Sequence, residues 1–192
     1  MITIRDLRKE DVPAALEISL AELGTDYLTK QDFLETIRAN DKFCMIALDD
    51  GILAGFAICQ LFGPEKVDEM LKLPNSPDRD SLLKVKKIGL LDSVSVSQKM
   101  KGKGVGRKLG EACYERFQME DCNVITAMAW EDINGHTNIK NILEHGLNMT
   151  PSIGIKGYWN LFVSSPEGHH CPMCGAPCKC YGRLYSVKMK KF

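Results

Sequence analysis

The sequence predicts an α/β protein in which about seven strand-like segments alternate with about four helices over 192 residues. Three observations carry that reading. A strand, a glycine-rich turn and an amphipathic helix follow one another across residues 90–117, LLDSVSVSQKMKGKGVGRKLGEACYERF. Strand and helix periodicities alternate along the rest of the chain. Near the C-terminus Cys171, Cys174, Cys178 and Cys180 fall together between the last two strands, a spacing suited to a small metal-binding loop.

Taken in order, Ile2 and Ile4 alternate with Thr3 and Arg5 as a first strand. Glu10, Asp11 and Pro13 mark a helix start, and Val12, Ala15, Leu16, Leu20 and Leu23 form its stripe before Gly24 ends it. Thr29-x-x-Asp32 reads as a capping box for a second helix with Phe33, Leu34 and Ile37 inward. Residues 43–48 and 52–61 read as strands joined across Asp50-Gly51. Residues 63–86 hold three prolines and mixed charge; one short helix is expected at 67–71, in a segment that is either a lid or a solvated excursion.

The central strand ends at Val96, and after Val105 the residues Leu109, Ala112, Cys113 and Phe117 share one helix face. A strand at 124–130, a polar loop at 131–138 with an Asn134-Gly135 turn, and a short helix around Ile139, Ile142 and Leu143 follow. Ile153, Ile155, Trp159, Leu161 and Val163 alternate as a long strand, and Tyr185, Val187 and Met189 as the last.

Length and composition set bounds. The expectation is a single domain over 1–192, with 166–182 an insertion. Lys+Arg and Asp+Glu both number 25, so no overall basic field argues for nucleic acid; Lys179, Arg183, Lys188, Lys190 and Lys191 would suit nucleic acid locally, and a solvated terminal strand explains them as well. The longest apolar run, 52–62, is too short to span a bilayer, and Met1 opens no charged-then-apolar leader, so a cytoplasmic protein is expected.

The loop at 101–107 places backbone N–H groups at the positive end of a helix, a ready site for a phosphate or pyrophosphate. The dinucleotide pattern G-x-G-x-x-G fails, because Arg107 stands where the third glycine is needed. The P-loop pattern fails because no glycine precedes Lys and then Ser or Thr. Lys101-x-x-Gly104-x-Gly106 remains, and it resembles motif A, [Q/R]-x-x-G-x-[G/A], of the GNAT superfamily of acyl-CoA-dependent N-acetyltransferases. Lys101 departs from the usual Gln or Arg; it keeps the charge but lacks the planar fork. The element order is similar to that family from end to end, residues 63–86 and 166–182 aside.

The resemblance implies a central mixed sheet and an acetyltransferase, a transferase moving acetyl from acetyl-CoA to a primary amine of a small molecule or peptide. It places the pantetheine arm against Val94, Ser95 and Val96. The pyrophosphate falls on Lys101, Gly102, Lys103, Gly104, Val105, Gly106 and Arg107, with Asn134 or Asn138 near the arm. Homodimers are common in the family. Its usual tyrosine acid stands about four residues before a Gly-Phe pair. Here Gly146-Leu147 replaces that pair and Ile142 stands at the tyrosine position, while the family's alternative glutamate base falls at Leu90.

For a base, Asp92 is a lone acid in the apolar row Ile88, Leu90, Val94, Val96, where desolvation raises a carboxyl's pKa. Glu131, just past the fifth strand, is a second candidate, and Tyr158 and Tyr185 are candidate donors to the leaving thiolate. A competing reading is an acyl-CoA-binding module without turnover that uses its metal loop to dock a partner. Cys171-x-x-Cys174-Gly is a knuckle, and with Cys178-x-Cys180 four thiolates favour structural Zn²⁺. An iron–sulfur cluster or redox-active thiols are the alternative readings of the cysteines, and His169 or His170 is the alternative fourth ligand.

Overall fold

The computed structural model describes residues 1–24, 27–171 and 173–190. Two compact units are present, each discontinuous in sequence: Met1–Leu61 with Gly89–Cys122, and Phe62–Ile88 with Asn123–Phe192.

In the first unit the strands β1 (Ile2–Asp6), β2 (Lys42–Asp49), β3 (Ile52–Phe62) and β4 (Ile88–Val96) lie side by side in that order. The β1–β2 and β2–β3 pairs are antiparallel. The hairpin between β2 and β3 turns on Asp50 and Gly51 at φ 49 and 83°, the positive values a two-residue turn of this hand requires. Helix α1 (Val12–Leu23) carries Pro13 in its first turn and stops at Gly24. Helix α2 (Lys30–Arg38) has the reciprocal cap read from sequence, Asp32 accepting from Thr29 N at 2.7 Å and Thr29 Oγ1 accepting from Asp32 N at 3.3 Å. Val12, Ala15, Ile18 and Phe33 pack on Cys44, Ile46, Phe56 and Ile58, every second residue of β2 and β3, so one face of these strands is closed by α1 and α2.

Helix α5 (Val105–Met119) uses Val105, Leu109, Cys113 and Phe117, and Phe43 meets Phe117 edge-on at 5.2 Å. Phe117 also lies against Gly89 of β4, where an added Cβ would stand 2.5 Å from the ring. That glycine lets the helix approach the strand.

The second unit orders its strands β5 (Val124–Glu131), β7 (Tyr181–Lys188) and β6 (Thr150–Lys156), antiparallel throughout. Residues 63–86 are not a solvated excursion. They form α3 (Val67–Leu71) and a helix not read from sequence, α4 (Pro77–Leu82), capped by Ser76 and bound to α3 by Arg79 on both oxygens of Asp68 at 2.6 and 2.7 Å. Val67, Leu71, Leu73 and Leu82 are buried.

Two further expectations are corrected. The long strand through Trp159 and Leu161 stops at Lys156, because Gly157 adopts φ 68° and starts a 3-10 turn over Tyr158–Phe162. The helix near Ile139 is a single wide turn, Ile142–Gly146. Tyr158 is buried, its ring against Gly182 and its hydroxyl donating to Leu71 O at 2.9 Å. No helix among the described residues is long and apolar enough to cross a membrane.

The Gly89–Phe117 contact yields a prediction. Gly89→Val should cost about 1–3 kcal/mol in urea unfolding through overpacking, and Phe117→Leu in the same chain should recover part of it. An unchanged midpoint for Gly89→Val would show that the helix does not depend on this contact.

Candidate functional site

The loop after β4 is built by its glycines. Ser97 N donates to Ala54 O at 2.9 Å, which holds the end of β4 to β3. One 3-10 turn (Gln98–Met100) follows, and Gly102 and Gly104 then take φ 77 and 78°. An added Cβ at either glycine would meet nothing within 4 Å, so backbone conformation rather than space demands glycine there. Gly104 is the N-cap of α5 and no side chain caps it, so the first amides of the helix have no side-chain acceptor.

Lys101 is not free over this loop. Its Nζ lies 2.5 Å from Glu22 Oε2 in the last turn of α1, a carboxylate whose side chain is 13% exposed. Lys103 Nζ lies 3.6 Å from Met100 Sδ. Arg107 pairs with Glu111 at 2.7 Å on an exposed stretch of α5.

On β4, Asp92 is partly buried and Ser93 and Ser95 are buried, and the Ser95 hydroxyl has no hydrogen-bond partner among the described residues. Val94 and Val96 are half-buried. Burial pushes the Asp92 carboxyl up, and the neighbouring Gln60 amide and the Lys42 charge offset only part of that. Tyr27 is 40% exposed as a residue; burial around its hydroxyl, then the charge of Asp92, pushes the phenol up, and a hydrogen bond with Ser93 offsets part of that. Asp92 and the whole 101–107 loop thus sit in the first unit.

The second unit holds Glu131, Asn134, Asn138 and all four clustered cysteines. Both Glu131 oxygens accept from Arg183, at 2.7 Å from Nη2 and 3.0 Å from Nε, and the Glu131 side chain is 14% exposed. Arg183 also donates to Ser152 O at 2.9 Å. Asn134 and Asn138 are exposed, on a loop organised by buried Asp132, whose Oδ1 accepts from Asn134 N and His136 N at 2.8 and 2.9 Å. Tyr185 is buried on β7 and meets Glu144 Oε1 at 3.2 Å. Burial, then the Glu144 charge, pushes it up to about 12. Of the basic residues near the C-terminus, Arg183 is committed to Glu131, and Lys191 lies outside the described residues.

The four cysteine sulfurs all lie within 4.8 Å of one another. Cys171 and Cys180 are 3.8 Å apart, Cys174 and Cys178 3.9 Å, Cys174 and Cys180 3.5 Å. A tetrahedral ion with metal–sulfur bonds of about 2.3 Å sets its sulfurs about 3.8 Å apart, so the set fits such an ion, whereas a disulfide needs about 2.0 Å. Cys171 N donates to Gly175 O and Gly175 N to Cys171 O, at 3.1 and 2.9 Å; Gly175 at φ 76° allows that knuckle. Lys179 N donates to Cys174 Sγ at 3.1 Å. Trp130 and Trp159 pack against the buried trio Cys171, Cys178 and Cys180. His169 and His170 are not among the four-ligand group.

Sequence reasoning missed Glu22 and Asn160, whose carboxamide bonds His169 N and the backbone of Cys178, and it read Arg183 as solvated where it pairs with Glu131. Each acts on a residue distant in sequence or across an irregular loop, where no local spacing announces the contact.

The Acetyltransferase (GNAT) family matches residues 3–139, and the chain belongs to it. The matched stretch holds Asp92 and the glycine loop and ends before the four clustered cysteines. No curated protein matches the chain. Among solved structures it is similar to the ribosomal-protein-S18-alanine N-acetyltransferase from Escherichia coli, at 14% identity and TM-score 0.67 over 100% of this chain and 96% of that one. The Drosophila melanogaster polyamine N-acetyltransferase is 11% identical with TM-score 0.66, covering 98% and 100%. A chain of the NatC complex bound to Gag peptide and CoA is 13% identical with TM-score 0.66, covering 98% and 99%. At such identities these likenesses show the fold.

The Glu131–Arg183 pair is expected to be structural. Arg183→Leu, which strands a mostly enclosed carboxylate, should cost about 1–3 kcal/mol in denaturant unfolding, and Glu131→Gln less. Equal and negligible losses would remove this pair from the account of β5–β7 stability.

Proposed function

We propose that this protein is an acetyl-CoA-dependent N-acetyltransferase that passes an acetyl group directly to a primary amine in a ternary complex. The observation that carries the reading is the 101–107 loop, where two left-handed glycines lead into an uncapped fifteen-residue helix. Those amides suit a pyrophosphate, with the backbone of Lys101, Gly102, Lys103, Gly104, Val105, Gly106 and Arg107 as its cradle and the Lys101 charge shared with Glu22. Val94, Ser95 and Val96 are the proposed backbone contacts of the pantetheine arm. Solved neighbours named for a ribosomal-protein alanine and for polyamines make a peptide or polyamine amine the acceptor class to test first.

Transfer requires the acceptor to lose a proton as its nitrogen attacks the thioester carbonyl, and the CoA sulfur then leaves with the bonding pair. We assign the proton to Asp92, whose burial raises its affinity for one. Glu131, held by both oxygens on Arg183, is assigned to positioning Arg183. Much of the rate then comes from holding amine and thioester together. The four cysteines are proposed to hold one structural Zn²⁺ with no open position, which supplies cross-linking of the 171–180 loop rather than chemistry.

One observation favours the acyl-CoA-binding module instead: Ile142 replaces the usual tyrosine, while the Tyr158 hydroxyl is committed to Leu71 O and Tyr185 to Glu144. Binding of acetyl-CoA without CoA release across an amine panel would select it.

Calorimetric titration should show acetyl-CoA binding that Gly106→Glu abolishes, since a carboxylate would stand where the pyrophosphate belongs. A wild-type chain that binds no acetyl-CoA would end the reading. Asp92→Asn should lower kcat about 10²- to 10⁴-fold. Protonated Asp92 cannot accept a proton, so wild-type activity should fall as pH drops through a value above 3.8, the carboxyl's ordinary one, and the variant should lose that acid limb. An acid limb retained in the variant would assign the base elsewhere.

A further inference from the structure

We infer that Trp159 and Asn160, consecutive on the 3-10 turn, form the outer shell of the four-cysteine centre. In this shell Asn160 clasps the ligand loop and the Trp159 indole N–H bonds a metal-bound sulfur. The inference rests on the reading that the cysteines hold zinc.

Asn160 uses its carboxamide on two parts of the loop. Its Oδ1 accepts from His169 N at 2.8 Å and from Cys178 N at 2.9 Å, while its Nδ2 donates to Cys178 O at 2.8 Å. One side chain therefore ties the approach to Cys171 to the backbone of Cys178. The neighbouring backbone leaves room for it: an added Cβ on Gly168 would stand 2.7 Å from Asn160 Oδ1, and one on Gly157 3.1 Å from Nδ2. Gly157 N in turn donates to Cys180 O at 2.7 Å. The turn thus fixes both members of the close Cys178-x-Cys180 pair without supplying a ligand.

Trp159 packs against Cys171, Cys178 and Cys180, and its Nε1 is buried with no hydrogen-bond partner among the described residues. A buried N–H left unpaired is costly, so native chains rarely keep one without a purpose. Four thiolates around one divalent ion carry two net negative charges, and such sulfurs accept hydrogen bonds that disperse the charge. Lys179 N already donates to Cys174. Drawing the charged sulfurs onto one ion, from separations of up to 4.8 Å, gives the N–H of the packed Trp159 the acceptor it lacks.

The test is metal affinity of the full chain, by chelator competition for zinc and by the sulfur-to-cobalt charge-transfer band of the cobalt form. Wild type should bind one zinc per chain. Asn160→Ala should weaken zinc about 10- to 100-fold, and Asn160→Asp, which keeps the acceptor but loses the donor, by less. Trp159→Phe keeps one aromatic ring and removes the N–H together with the five-membered half of the indole; it should weaken zinc about three- to tenfold and, by removing the bond to sulfur, shift the cobalt band. If Asn160→Ala does not fold, the near-isosteric Asn160→Asp and Trp159→Phe still decide. Wild-type affinity together with a wild-type cobalt spectrum in either Trp159→Phe or Asn160→Asp would overturn the inference for that residue. A wild-type chain that takes up neither zinc nor cobalt would instead sink the metal reading beneath it.

Discussion

The close approach of Phe117 to Gly89 is the contact on which the first unit is arranged. It seats α5 directly on one face of β4, and strand alternation then puts Leu91, Ser93 and Ser95 on that same face. Ile88, Leu90 and Asp92 are left on the other. The strand's length and the helix's first residue together leave the 97–104 connection short, and two left-handed glycines are what close it. Strand, turn and helix therefore constrain one another, and the carboxylate of Asp92 and the loop amides are fixed by the same strand.

The second unit solves a different problem. Its three strands leave a long irregular segment between β6 and β7 that has little apolar mass of its own. Tyr158 anchors the turn to α3 through Leu71 O, Asn160 fastens the loop, and the cysteines converge beyond it. A small unit with a thin core commonly needs such a staple.

Periodic features were legible in the sequence because they repeat locally. The Thr29–Asp32 cap, the Asp50-Gly51 turn and the cysteine spacing lie within one helical turn or one loop, and the α5 stripe recurs every three or four residues. What escaped depends on long-range partners or on one residue's conformation. The alternation from Ile153 to Val163 mimics a strand, but Gly157 at positive φ bends the chain and converts the second half into a turn. Helix α4 was hidden by low apolar content, although Ser76-Pro77 is a cap followed by a favoured first residue. Lys101 read as a phosphate ligand by its place in the motif. Only the fold brings Glu22 to its side, and no spacing between positions 22 and 101 foretells that. Asp92 was readable as an acid in an apolar row; the company of Tyr27, Gln60 and Lys42 was not.

The placement of the aromatic residues gives the molecule a built-in optical partition. The chain has two tryptophans, and both Trp130 and Trp159 pack against the cysteine cluster of the second unit. Intrinsic indole emission therefore reports the surroundings of that cluster, and the first unit, with the glycine loop and Asp92, is dark in this channel. Melting curves followed by emission track the second unit, whereas far-ultraviolet dichroism sums over both. Coincident curves would mean that the two units unfold as one cooperative body, and separated curves would give the stability of each without a single substitution.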